Sequence, residues 1–262
     1  MNYILGLIIA LISAAIALEH LQQSAAQFYD LVAFAIVIGG TFAVSLVILP
    51  WKEYRVLLQC LQGLFFNLGH NKRELVNLGM TALNNYKNGE KFTLPKNQFI
   101  HFQILKDGFE LLQLGLDVKK VETILAERIN HYHERHKKIA NAIRSLAKYP
   151  PAFGLTGTVF GLVELMKAVS EGMPAKETGI KMAIALVATL YGLIVANLIL
   201  NPAGEQILKN TNNDRDLAEI SLQVIVLAAQ RVSLLEAQEL LNSMVDDHER
   251  VNFVAQQYSE AV

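Results

Sequence analysis

The chain has 262 residues, a formal net charge of −1 and a single cysteine, Cys60. A charge this close to zero excludes nucleic-acid binding driven by the overall field of the protein, and one thiol excludes an internal disulfide. Hydrophobic residues make up 52% of the sequence. A soluble domain can approach that fraction, so the distribution of these residues decides the class of protein.

Four apolar runs are long enough to cross a bilayer, which takes about 20 residues in a helix. Only the third run in chain order contains charged residues, Glu164 and Lys167, which lie near its end and can pair or reach the lipid headgroups. The sequence therefore predicts an all-α integral membrane protein with four transmembrane helices, over residues 1–18, 31–49, 151–169 and 182–200.

The first run has an alternative interpretation as a signal peptide, because Ala15 and Ala17 form a small-x-small site. A signal peptide begins with a positively charged region, and no Lys or Arg precedes this run. We therefore expect a transmembrane helix here.

The distribution of Lys and Arg predicts the orientation. None lies between residues 1 and 49, whereas sixteen lie between 50 and 149, and the positive-inside rule places such a segment in the cytoplasm. Both termini then also face the cytoplasm. The predicted organisation is a transmembrane hairpin (1–49), a helical cytoplasmic insert (50–149), a second transmembrane hairpin (150–202) and a cytoplasmic helical tail (203–262).

Apolar residues in the insert and the tail recur at the spacing of amphipathic helices, in stretches that begin at Leu57, Leu75, Phe102, Val118 and Leu217. Turn residues at 88–95 separate the second stretch from the third. This break predicts a charged loop at the tip of the insert, beside Lys87 and Glu90.

The sequence contains no GxGxxG, P-loop, GxSxG or HExxH motif. His131, His133 and His136 lie close together, but only the last two share a helix face, and no Cys or carboxylate completes a set of metal ligands. The sequence therefore predicts a protein that is not an enzyme and holds neither a metal nor another cofactor.

The middle of every predicted span lacks Asp, Glu, Lys, Arg and His. Proton and cation pathways through membranes normally need an ionisable residue within the membrane. If this protein conducts ions, the carboxylate must come from another chain.

The third and fourth spans each carry a stripe of small residues that includes one threonine. Such stripes allow another helix to approach closely. Two interpretations are open, because the stripes can receive a helix of a partner or pack against each other. The two stripes consist of Gly154, Gly157, Thr158 and Gly161, and of Ala185, Thr189, Gly192 and Ala196.

Several segments resemble the MotA/PomA flagellar stator family, within the wider MotA/TolQ/ExbB proton channel family. The resemblance covers the whole chain and is most specific in the third and fourth spans. It is carried by PAFGLTGTVFGL at 151–162, MAIALVATLYGLIVAN at 182–197, Pro202, Asp30, Ile38-Gly39-Gly40-Thr41 and Glu134-Arg135-His136.

This resemblance implies a machine in the bacterial inner membrane. Five A-subunits surround two B-subunits, each of which supplies one transmembrane helix with an ion-binding aspartate. Flow of the transported ion, a proton or sodium, turns the ring, and the cytoplasmic insert pushes on the switch protein of the rotor. The aspartate of the B-subunit fits the carboxylate that is missing here.

The resemblance also implies residue roles. Pro151 and Pro202 would couple ion binding to movement of the insert, beyond ending a helix. Lys87 matches a basic rotor contact of the family. The family's acidic contact eight positions later is replaced by Pro95, so Glu90 is the candidate in its place.

Thr158 and Thr189 would line the ion path, and the small residues of both stripes would pack against the partner helix. Each threonine lies seven residues into its span, or roughly 10 Å at about 1.5 Å per residue, and the two spans begin at opposite faces. A hydroxyl offers lone pairs to a cation. The alternative is a hydrogen bond from each hydroxyl to the carbonyl one turn earlier.

Two other functions compete with the stator. A subunit of the TolQ/ExbB type drives a periplasmic partner and usually has one span before the insert, whereas this sequence has two. A self-contained transporter would need its own polar site in the middle of the membrane, and two threonines do not make one. The stator is therefore favoured.

Overall fold

The computed structural model describes residues 2–20, 28–65, 71–90 and 99–255. Throughout these ranges the regular secondary structure is helical, as predicted, and no strand is formed in them. The α-helices are α1 (Asn2–His20), α2 (Leu31–Phe34), α3 (Gly40–Ile48), α4 (Tyr54–Phe65), α5 (Lys72–Asn88), α6 (Ile100–Gln113), α7 (Val118–Leu146), α8 (Tyr149–Ser170), α9 (Ala175–Ile194), α10 (Asn201–Gln230) and α11 (Leu234–Asn242).

Three helical stretches of the described chain are long and apolar enough to cross a membrane. They are Leu31–Ile48 and segments within Val118–Ser170 and Ala185–Gln230. These stretches overlap the predicted second, third and fourth spans, and several such helices indicate a multi-pass membrane protein. The predicted first span forms α1, which is not among the three.

The second span, Leu31–Ile48, begins at a side-chain cap and contains a widened turn. The carboxylate of Asp30 accepts a hydrogen bond of 2.5 Å from the backbone N–H of Ala33, which satisfies one of the free donors at the helix start. Residues Ala35–Gly39 then form a π-helical turn, which we call the first π-turn. The helix ends before Pro50.

The chain divides into two compact units. The first unit lies within Met1–Asn67 and His136–Leu208 and therefore includes both ends of the predicted insert. The reason is a buried cluster that joins residues after the second span to the end of α7 and the start of α10: Leu49, Val56, Leu64, Ile139, Ala140, Ile143, Ala203 and Ile207.

The second unit lies within Leu68–Arg135 and Lys209–Val262. Its core is built from large aliphatic side chains such as Met80, Leu105, Leu125 and Ile220, each 1% exposed or less. At its surface, Lys72 Nζ lies 3.1 Å from the carboxylate of Asp216.

The predicted break at 88–95 begins where α5 ends. Gly89 caps this helix in the left-handed conformation, with φ of 75°, a conformation that glycine adopts without steric cost. Lys87 and Glu90 are both exposed here. Residues 91–98, which contain Pro95 and most of the predicted loop, lie outside the described residues.

Candidate functional site: the hairpin of α8 and α9

The small residues of α8 and α9 pack against each other within this chain. A Cβ atom built on Gly157 would lie 2.5 Å from Cβ of Ala188, and one built on Gly161 would overlap Cβ of Ala185. Contacts this close exist only because the glycines have no side chain. The two helices therefore meet along both predicted stripes.

The contacts at the other end of the hairpin involve backbone atoms. A Cβ on Gly154 would lie 2.8 Å from the carbonyl oxygen of Ala188, and one on Gly192 would lie 2.5 Å from the carbonyl oxygen of Pro150. Gly154, Gly157, Gly161, Ala185 and Gly192 therefore pack within their own hairpin, which is the alternative considered from the sequence, and contact of these positions with a partner helix stays a prediction. Ala196, the last residue of the predicted stripe, is buried at 2% exposure.

Both threonine hydroxyls donate to backbone carbonyls, and both residues are half-buried. Thr158 donates to the carbonyl of Leu155 at 2.6 Å, which is the alternative considered from the sequence. Thr189 donates instead across the helix pair, to the carbonyl of Gly154 at 3.3 Å. Each hydroxyl oxygen keeps lone pairs with which it can accept a hydrogen bond or contact a cation.

The two prolines lie in the first turns of α8 and α10. Pro151 is half-buried, and its Cα lies 3.0 Å from a Cβ built on Gly192. Pro202 follows a second widened turn, Val195–Leu200, which we call the second π-turn. In a regular helix the Pro202 ring would meet the carbonyl of Leu198, and the wider turn relieves this conflict.

At the far end of the hairpin, Lys181 Nζ lies 3.4 Å from the carboxylate of Glu164. The sequence suggested that Glu164 pairs with Lys167 or reaches the headgroups. In the structure its partner comes from the neighbouring helix, so this ion pair joins α8 to α9.

Sequence analysis missed Tyr191, which joins α9 to the start of the second span. Its hydroxyl donates to the carbonyl of Phe28 and accepts from the backbone N–H of Asp30 at 3.2 Å. The rings of Tyr191 and Phe34 are nearly perpendicular, with 6.4 Å between their centroids. A tyrosine within an apolar run carries no sequence pattern that would assign such a partner.

The histidines set aside as metal ligands are not equivalent in the structure. His133 is buried at 5% exposure, whereas His131 is exposed. Sequence analysis did not consider Asp246, His248 and Glu249, whose potential ligand atoms lie within 4.8 Å of one another at the surface.

A sequence model of the MotA/TolQ/ExbB proton channel family matches residues 96–219, a range that contains the whole hairpin. The Bacillus subtilis protein YtxD is 27% identical over 201 residues, which cover 76% of this chain and 73% of YtxD. Motility protein A of Borreliella burgdorferi is 35% identical over 126 residues, which cover 48% of this chain and 46% of that protein.

The fold is similar to that of a chain in the flagellar MotAB stator complex from Bacillus subtilis. The TM-score is 0.81 at 19% sequence identity, and the superposition covers 97% of this chain and 99% of that chain. At this identity the similarity establishes a shared fold.

Proposed function

We propose that this chain, whose residues 96–219 match the MotA/TolQ/ExbB proton channel family, belongs to that family and is the A-subunit of an ion-driven flagellar stator. Five copies form a ring around two B-subunits and convert ion flow into torque on the rotor. The observation that carries this proposal is the match of residues 96–219 to the family, in a chain whose relatives include motility protein A.

The absence of charge inside the spans supports a partner with a carboxylate. None of the predicted spans has an Asp, Glu, Lys, Arg or His in its middle, and ion pathways through membranes normally need such a residue. We place that group on the single transmembrane helix of a B-subunit. In this proposal the chain lines the ion path and transmits movement to the rotor, and it carries out no catalytic chemistry of its own.

For the topology we propose four spans in the bacterial inner membrane, with α1 as the first. Both termini and the 50–149 insert face the cytoplasm, because all but a few of the Lys and Arg residues lie in the insert and the tail. Two spans before the insert distinguish this arrangement from that of a TolQ/ExbB-type subunit.

The ion path that we propose passes Thr158 and Thr189. Their hydroxyl protons are held by the carbonyls of Leu155 and Gly154, which leaves the oxygen atoms as acceptors for a cation or a protonated carboxyl group. Pro151 and Pro202 couple this path to movement of the cytoplasmic part, and Lys87 and Glu90 contact the switch protein of the rotor.

The central test is restoration of motility. The full chain and the B-subunit of the same organism are expressed together in a flagellated bacterium without its own stator genes, and swimming is expected to return. The chain should co-purify with a single-span protein that carries an intramembrane Asp. Co-purification with a periplasmic energy transducer, without swimming, would favour the TolQ/ExbB-type alternative.

The ion path is tested by Thr189→Ala, with Thr189→Ser as the matched control that keeps the hydroxyl. Swimming speed is measured against external sodium and against external pH. We expect Thr189→Ala to change the concentration of the coupling ion that gives half-maximal speed, and Thr189→Ser to leave it unchanged. Identical curves for both variants would limit Thr189 to packing.

A further inference from the structure

The second turn of α8 is held on two sides by different helices. Its Gly154 carbonyl accepts the hydroxyl of Thr189 from α9. Its Phe153 ring lies against Gly40 of the second span, where a Cβ built on the glycine would be 2.6–2.8 Å from three ring atoms. Phe153 and Gly154 are adjacent, so they point about 100° apart around the helix.

The first π-turn determines which residue of the second span meets this ring. A π-turn contains one extra residue, which rotates everything after it by about 100°. Gly40 is the first residue after that turn. Without the extra residue, a different side of the second span would face α8.

A side-chain hydrogen bond spans the end of the π-turn. Thr41 is buried, and its hydroxyl donates to the carbonyl of Val37 at 2.6 Å. The same carbonyl accepts the backbone N–H of Gly40. Bonds of this kind accompany local distortion of a helix, and this one lies beside the position where Gly40 contacts α8.

From these contacts we infer that Phe153 is a positioning residue of the ion-driven machine. Its ring lies on Gly40 and fixes the second turn of α8, so that Gly154 can hold the hydroxyl of Thr189. This inference rests on the proposed function. The π-turn supplies the rotation, Gly40 supplies the space, and the ring connects the second span to the carbonyl that binds Thr189.

The structure provides a matched pair of glycines for the test. Among the residues that the structure describes, no atom lies within 4 Å of a Cβ built on Gly39, whereas a Cβ on Gly40 meets the ring. Gly39→Ala and Gly40→Ala make the same chemical change one residue apart. Only Gly40→Ala displaces Phe153, and replacing Phe153 by Ala as well removes all three ring atoms that conflict.

The variants are expressed as full chains with the B-subunit in the stator-deficient bacterium, and swimming speed is measured per complex in the membrane. We expect Gly39→Ala to match wild type. Gly40→Ala should lower the speed by about threefold or more and shift the ion concentration for half-maximal speed. The reason is that a change at one of two residues in contact, here Gly40 and Phe153, alters the effect of the other. Gly40→Ala combined with Phe153→Ala should recover part of the loss.

The shift in half-maximal ion concentration separates positioning from mere structural support, which would only reduce the number of complexes. If Gly40→Ala does not accumulate in the membrane, the inference is tested by Phe153→Ala alone. We expect this variant to show a shifted ion concentration for half-maximal speed. The inference is overturned if Phe153→Ala swims with the wild-type dependence on ion concentration. It is also overturned if Gly40→Ala has the same speed and ion dependence as Gly39→Ala.

Failure of the proposed function would be visible separately, as a wild-type chain that does not restore swimming. The contact itself is then tested by thermal unfolding of the purified chain in detergent. Non-additive effects of the Gly40 and Phe153 substitutions are expected, and strictly additive effects would overturn the inference.

Discussion

The hairpin of α8 and α9 and the core of the second unit are both purely helical, yet they are packed with opposite kinds of side chain. In the hairpin, Gly and Ala lie inside the helix pair, and large residues such as Leu155 and Val163 are more than 60% exposed. In the second unit, large residues such as Leu105 and Met80 are completely buried.

The difference follows from the two solvents. In water, burial of large apolar side chains drives packing. In lipid, the surroundings are as apolar as leucine, so helices gain from close backbone approach and good van der Waals contact. The hairpin should therefore be sensitive to added atoms and the second unit to removed atoms.

The largest effect is expected from Gly161→Leu. There is no space for even one carbon beside Ala185, so the larger side chain must push α8 away from α9. We expect the free energy of unfolding to fall by about 4 kcal/mol or more, which is at the upper end for single substitutions. It is measured by denaturation of the purified protein in detergent. Gly179→Leu is the control in the same hairpin, because no atom of the described residues lies within 4 Å of a Cβ there. Equal stability of the two variants would contradict the close packing.

In the second unit the corresponding change is Leu105→Ala. Leu105 is 0% exposed, and removing a buried leucine side chain costs about 3 kcal/mol through lost burial and the cavity left behind. Hydrogen exchange of α6 amides in the full chain should accelerate accordingly. Leu114 is 75% exposed, so Leu114→Ala should change the free energy of opening obtained from hydrogen exchange by less than about 0.5 kcal/mol.

Swapping glycine and alanine between positions 157 and 188 tests the close packing of the hairpin more directly. In the described part of the chain, the Cβ of Ala188 is the one atom within 3.4 Å of a Cβ built on Gly157. Gly157→Ala should cost about 2 kcal/mol as overpacking. Adding Ala188→Gly removes the conflicting atom, so the double variant should unfold at a higher temperature than Gly157→Ala alone. A double variant that is less stable than both single variants would show that Gly157 matters for another reason.

Periodicity and composition were enough to predict the all-helical fold, three of the spans and the small-residue stripes. They could not show which helix the stripes meet. A glycine at helical spacing fits any close neighbour, and the choice between a partner helix and α9 depends on three-dimensional placement. The same limit applies to Thr189, whose carbonyl partner lies on α8.

The two π-turns differ in how far sequence could have predicted them. The second π-turn precedes Pro202, which lacks an N–H and disturbs the preceding turn, so a local irregularity was foreseeable there. The first π-turn has no proline, and only the adjacent Gly39 and Gly40 mark it. Its effect on Phe153 depends on a contact between residues more than one hundred positions apart, which a single sequence does not encode as a pattern.

The smallest effect is expected from Tyr191→Phe, which keeps the ring and removes only the hydroxyl. That hydroxyl serves the carbonyl of Phe28 and the N–H of Asp30, at the start of the second span. Losing a hydrogen bond usually costs about 1 kcal/mol. Tyr29→Phe is the control, because Tyr29 is 74% exposed and its hydroxyl can bond to solvent.

The measurement is thermal unfolding of both variants in detergent, together with amide exchange at residues 28–34. If Tyr191 holds the second span on α9, exchange should rise in Tyr191→Phe at Asp30, whose N–H donates to the hydroxyl, and stay unchanged in Tyr29→Phe. Because the Asp30 cap on Ala33 does not involve the tyrosine, the helix should persist while its attachment weakens. An unchanged exchange pattern would mean that the apolar contact with Phe34 is enough to hold the second span on α9. Close packing, rather than hydrogen bonding, would then maintain this contact as it does within the hairpin.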